Sequence, residues 1–137
     1  ASKDWNENIA VAMAVLTEES KLQEIVQLVG SDALPEDQQL TLEVARMLRE
    51  FYLQQNAFHD VDTYCEIKNQ AKFLEVVLHY KELAEKAMSS GIELEKVLGL
   101  PILEDIGRSK FEENMADLLD KYDKTMTKEF SKIMEGA

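Results

Sequence analysis

Apolar residues early in the chain recur three or four positions apart, at Ile9, Ala12, Met13, Leu16, Leu22, Ile25, Val26 and Val29. That spacing forms one face of an amphipathic α-helix and predicts a helix over about residues 5–29. Gly30 stands where such a helix would end, because glycine tolerates the left-handed conformation that follows a helix C-terminus. Pro35 suits the opening of a second helix, where its missing N–H costs nothing. Glu36 and Asp37 then complement the positive end of the helix dipole. This second helix is predicted to reach about residue 53, with Leu40, Val44, Leu48, Phe51 and Tyr52 inward.

Residues 54–66, QQNAFHDVDTYCE, break the periodicity. They predict the longest irregular stretch, a loop carrying Phe58, Tyr64 and Cys65, and apolar groups on a loop need something to pack against. A third helix over about 68–89 lines up Phe73, Val76, Val77, Tyr80, Leu83, Ala84 and Ala87, and Ser89-Ser90-Gly91 closes it. Two short helical turns follow, near 94–98 and 102–107, separated by Gly99-Leu100-Pro101. A last helix over about 111–134 carries Phe111, Met115, Leu118, Leu119, Tyr122, Met126, Phe130 and Ile133. Strand-like alternation and internal repeats are absent. Short connections favour antiparallel neighbours, so the expected fold is all-α, a compact antiparallel helical bundle forming one domain over residues 1–137.

Composition sharpens this in three ways. Glycine (5) and proline (2) are scarce, which fits helices and leaves few hairpin turns. The net charge of −12 argues against nucleic acid as a partner, since little here could neutralise a run of phosphates. An acidic surface serves solubility or meets a basic protein partner. The single cysteine, Cys65, excludes an internal disulfide and a multi-thiolate metal site, and fits a reducing compartment. No apolar run approaches the ~20 residues that cross a bilayer, so no direct membrane insertion is expected. The opening Ala1-Ser2-Lys3-Asp4-Trp5 is no signal peptide.

Chemistry carried by the chain itself is sparse. It has no G-x-x-x-x-G-K-[ST] phosphate loop and no G-x-G-x-x-G. His59, Asp60, Asp62 and Cys65 could be imagined as metal ligands but match no recognised spacing. Cys65 and His59 could be imagined as nucleophile and base, yet catalytic pairs are made by the fold rather than by sequence proximity. His79 sits in the third helix as a surface or boundary residue. Residues alone therefore point to a helical interaction module, with a free-standing acidic adaptor for a basic partner as one form of it.

A resemblance extends this. Residues 22–65, LQEIVQLVGSDALPEDQQLTLEVARMLREFYLQQNAFHDVDTYC, resemble the C-terminal region of the catalytic A subunit of archaeal and vacuolar-type rotary ATPases, most diagnostically at FYLQQNAFHDVDTYC. Residues 91–110, GIELEKVLGLPILEDIGRSK, are similar to the same family's short helix, Leu-Pro and charged helix. The related F-type catalytic subunit carries an acidic D-E-L-S-E-E-D corner against its rotating stalk. Matched position by position, that motif falls on Asp32, Ala33, Leu34, Pro35, Glu36, Asp37 and Gln38. Two acidic positions of the motif are Ala33 and Gln38 here, which weakens an argument from charge and gives more weight to shape and to Leu34.

The resemblance also implies a nucleotide role, with Phe58 and Tyr64 as aromatic walls of the adenine pocket for ATP or ADP. The bland reading of these two aromatics is that they close the domain's own core. The phosphate loop, catalytic glutamate and Mg ligands would lie upstream, making Ala1 a cut point and this fragment alone free of bound nucleotide. The implied parent subunit couples ATP synthesis or hydrolysis to proton or sodium transport. It does so in an alternating hexamer of three A and three B subunits around central-stalk (rotor) subunits, within a cytoplasmic, peripheral membrane complex. The domain's share would be to pass motion from nucleotide site to stalk.

Overall fold

The computed structural model describes residues 2–57, 63–109 and 114–135. Six α-helices occupy them: α1 (Ser2–Val29), α2 (Glu36–Ala57), α3 (Thr63–Ser89), α4 (Leu94–Leu98), α5 (Ile102–Arg108) and α6 (Met115–Glu135). A single 3₁₀ turn, Ser31–Ala33, joins α1 to α2. No strand occurs among the described residues. The all-α bundle expected from the pattern is the observed architecture.

α3 forms the centre of the packing, touching α1, α2, α4 and α6. α1 and α2 fold back on one another as an antiparallel hairpin, with Glu19 of α1 meeting Arg49 of α2, and α3 packs against both. α6 lies along α3, where Lys72–Asp120, His79–Asp123 and Tyr80–Phe130 climb both helices together. It therefore runs in the same sense as α3, a direction that the return through α4 and α5 allows.

The core collects Val44, Ala45 and Leu48 from α2, Leu74, Val77 and Ala84 from α3, Val97 from α4 and Ile106 from α5. α6 adds Met115, Leu119, Met126 and Phe130. Tyr80, fully buried, tilts against Phe130 with ring centroids 5.9 Å apart. Its hydroxyl donates to the Val97 carbonyl at 3.0 Å, tying α3 to α4. Burial pushes this phenol well above its usual range, so it stays protonated and keeps donating. On the solvent side Asp120 accepts from Lys72 at 2.7 Å and holds that ammonium above its ordinary range. His79 Nδ1 meets Asp123 Oδ1 at 2.5 Å, which places His79 at the bundle boundary as its position suggested.

Glycine in the left-handed region ends two helices, α1 and α3. Gly91 has φ +100°, Ile92 N donates to the Ala87 carbonyl at 3.1 Å and Gly91 N to that of Met88 at 3.0 Å. This is a Schellman close, with the apolar residue after it, Ile92, buried in the core.

The structure bears on three expectations. The stretch 54–66 is helical at both ends: α2 continues through residue 57 and α3 begins at Thr63. Gln54, Gln55, Asn56 and Ala57 carry no apolar period, but glutamine and alanine are good helix formers. Secondly, α1 does not bury its whole apolar face, because Met13, Ile25 and Val29 are exposed while Val15 is buried instead. Thirdly, α6 is described from Met115, and its expected start near 111 lies outside the described residues. The inward positions expected at Phe51, Tyr52 and Phe111 lie outside the residues whose side chains are described.

Candidate functional site

The corner between α1 and α2 is built from a few local rules. Gly30 takes φ +89°, which a residue with a Cβ adopts only with strain, and its N–H closes α1 on the Val26 carbonyl at 2.8 Å. Ala33 N then donates to the Gly30 carbonyl at 3.3 Å, closing the 3₁₀ turn. The Pro35 carbonyl accepts the N–H groups of Gln38 and Gln39, each at 3.0 Å, which starts α2. Gln39 Nε2 reaches back to the Leu34 carbonyl at 2.8 Å.

These constraints sort the corner residues by face. Leu34 is only 5% exposed and points into the protein, where it anchors the turn. Asp32, Ala33, Pro35, Glu36 and Asp37 form the exposed surface, and Gln38 is half-buried. The exposed surface of the corner is thus acidic and small-residue in character, with its leucine withheld as a peg. An apolar residue just before a helix start commonly packs back onto that helix, and this signal points to Leu34's inward course.

One interaction that sequence reasoning missed braces the hairpin. Arg49 of α2 donates from Nε at 3.0 Å and Nη2 at 2.6 Å to Oε2 of Glu19 on α1. Glu19 is 7% exposed while Arg49 is half in solvent. Both partners were visible as charges, but their meeting depends on the register of α1 against α2, which no local pattern encodes.

Of the two aromatics assigned to a nucleotide pocket, Phe58 lies outside the described residues. Tyr64 sits in the first turn of α3 as backbone, with its side chain outside the described set. His59, Asp60 and Asp62 are likewise outside it, and Cys65 is known only as a helical position.

A cleft of about 560 Å³ opens between α2 and the α4–α5 segment, lined by Arg46, Met47, Phe73, Leu100, Leu103 and Arg108 among others. Its cations are already engaged: Arg46 donates to Glu50 at 2.8 Å and to Glu43, and Arg108 donates to Asp105 at 3.0 Å. Hydrogen bonding to Glu43 first, and then to Glu50, raises the Arg46 guanidinium even above its own high range. The cleft is therefore a poor anion site. Among the described residues no group of three or more His, Cys, Asp or Glu is placed to hold a metal ion. No helix among them is long and apolar enough to cross a membrane.

Comparison with known proteins bears on this geometry. Residues 1–98 match the model of the family described as the C-terminal domain of V and A type ATP synthase. The chain is 46% identical over 136 residues to the A subunit of the A-type ATP synthase of Methanopyrus kandleri, covering 98% of this chain and 23% of that protein. It is 46% identical over 134 residues to V-type ATP synthase alpha chain 1 of Clostridium tetani, covering 97% and 23% respectively. It is also 53% identical over 108 residues to the V-type ATP synthase alpha chain of Clostridium perfringens (strain 13 / Type A), covering 79% and 18%. The chain thus spans less than a quarter of the length of the relatives it matches.

Proposed function

This chain belongs to the family of C-terminal domains of V and A type ATP synthases, and we propose that it is the motion-transmitting part of a catalytic A subunit. In this reading the parent subunit binds ATP or ADP with Mg through residues upstream and alternates with B subunits around a central rotor. The complex couples ATP turnover to proton or sodium transport across a membrane at whose surface it sits. The observation that carries the reading is the similarity, along 97–98% of this chain, to part of the A and alpha chains of such synthases. The form of the α1–α2 hairpin is consistent with it: a helix of 28 residues, about 42 Å long at 1.5 Å per residue, ending in a pegged acidic corner.

Closure around nucleotide turns this domain about its junction with the nucleotide-binding part, a hinge motion. The corner formed by Asp32, Ala33, Pro35, Glu36, Asp37 and Gln38 then bears on the stalk, with Leu34 holding it in shape. Stiffness comes from the packing of α1, α2 and α3 and from the Glu19–Arg49 brace. Replacing Asp32, Glu36 and Asp37 together by Lys in the full-length subunit tests the reading. Ions moved per ATP hydrolysed are expected to fall severalfold, while folding is little changed because exposed charges contribute about 0–1 kcal/mol each. Unchanged coupling would remove charge from the corner's role.

The nucleotide assignment has its own test. Phe58→Ala in the full-length subunit is expected to weaken ADP binding by roughly tenfold, the loss of about 1.4 kcal/mol of aromatic contact. Equal affinity in both proteins would return Phe58 to a packing role, and the same measurement on Tyr64→Ala decides for Tyr64.

A further inference from the structure

The cleft between α2 and the α4–α5 segment has an apolar floor and a charged mouth. Met47, Phe73 and Leu100, all buried, form the floor, and half-buried Leu103 forms a wall. At about 560 Å³ the space falls within the range of small-molecule sites, which combine an apolar lining with a few convergent polar groups. The charges at the mouth do not cancel. Arg46 is shared by Glu43 and Glu50, and Arg108 is held by Asp105. Glu104 also lines the opening, so two cations stand against four carboxylates. Glu104 is exposed on α5, and its carboxylate makes no hydrogen bond or ion pair among the described residues.

We propose that this cleft is a binding site for a small amphipathic amine, its apolar body seated on Met47, Phe73 and Leu103 and its ammonium at Glu104 and Glu50. The proposal stands on the cleft itself and holds whether or not the chain transmits motion. Charge selects the ligand class. An anion meets surplus carboxylates, and both guanidinium groups that could receive it are already engaged. A wholly apolar ligand fills the floor but strips water from Glu104 without replacing its hydrogen bonds. An amine on an apolar body satisfies both halves at once: burial supplies adhesion, and the charge-assisted hydrogen bond fixes which end faces out. A ligand so placed touches α2 on one side and α5 on the other, and so ties the α1–α2 hairpin to the segment that leads into α6.

The test uses the full-length subunit and dansylcadaverine, a naphthalene ring carrying a primary amine, whose emission brightens in an apolar site. Saturable binding is expected. Acetylating the probe's amine keeps the ring and removes the charge, and is expected to weaken binding by roughly tenfold. Glu104→Gln is expected to weaken it by roughly threefold to fivefold, the range for an exposed ion pair. Glu50→Gln, which also releases an Arg46 donor beside the amine, is expected to cost at least as much. Both changes keep side-chain shape at solvent-facing positions and leave folding little altered. Glu24→Gln, at an exposed acid on α1 away from the cleft, is expected to change nothing. Absence of saturable binding, equal affinity for the acetylated probe, or affinity indifferent to both cleft substitutions overturns the proposal. The same titration on the assembled complex separates a free ligand from a basic side chain of a neighbour. Retained binding there supports the free amine. Binding that the subunit shows alone and loses on assembly gives the cleft to the neighbour and overturns it.

Discussion

Phe130→Ala is expected to destabilise the folded chain by about 3–5 kcal/mol, the range for removing a buried phenylalanine ring. Phe130 is fully buried and stacks at a tilt on Tyr80, whose hydroxyl in turn holds α4. Its removal opens a cavity where α3, α4 and α6 converge, and the fully packed neighbours have little freedom to fill it. Thermal unfolding is expected to shift downward by on the order of 10 °C, and denaturant titration should return the same loss with an unchanged slope. A loss below about 1 kcal/mol would mean that α6 is held chiefly by its outer polar contacts, since exposed pairs contribute about that much. Lys72–Asp120 and His79–Asp123 would then be the contacts to mutate next.

Leu34→Ala is the second large effect, and its consequence is local. Leu34 is buried apart from the main core cluster, at the far end of the hairpin. Truncating it is expected to cost about 2–4 kcal/mol in the turn it anchors. Amide hydrogen exchange should quicken across residues 30–40, while α3 and α6 keep their protection. In the full-length subunit the corner's charges would be untouched but its shape loosened. ATP hydrolysis should then continue with ion transport reduced, which separates mechanical from electrostatic coupling. Transport equal to that of the unaltered protein would show that the corner acts without a rigid form.

Why the sequence was informative in some places and not others follows from what covers each helix. On α3, Phe73, Val76, Val77, Tyr80, Ala84 and Ala87 are all buried, as their spacing predicts, because four other helices pack around that rod. On α1, Met13, Ile25 and Val29 have the same spacing and lie in solvent. Periodicity reports that a face is apolar and is silent on whether this chain supplies its cover. The ends of α2 and α3 around 54–66 were hidden for the complementary reason, since a helix without an apolar period leaves only propensity to detect it. Gly30 and Pro35 were legible as punctuation, and the acids beside them as helix-start chemistry. The inward course of Leu34 had a local signal in its place just before a helix start, whereas the pairing of Glu19 with Arg49 was not legible, because it depends on the register of α1 against α2. Phe58 and Tyr64 owe their assignment to family resemblance alone.

The one-signed charge of the hairpin tip has a chemical corollary. Between Lys21 and Arg46 there is no peptide bond that trypsin can cut and no amine for acetylation. Lysine modification, which elsewhere erases a charge and a hydrogen-bond donor, has no acceptor in this segment. A glutamate-specific protease, in contrast, finds Glu24, Glu36 and Glu43 on and around the same exposed turn. Cleavage by that protease in the free and assembled states would register whether the tip is covered, while tryptic fragments would carry it through intact.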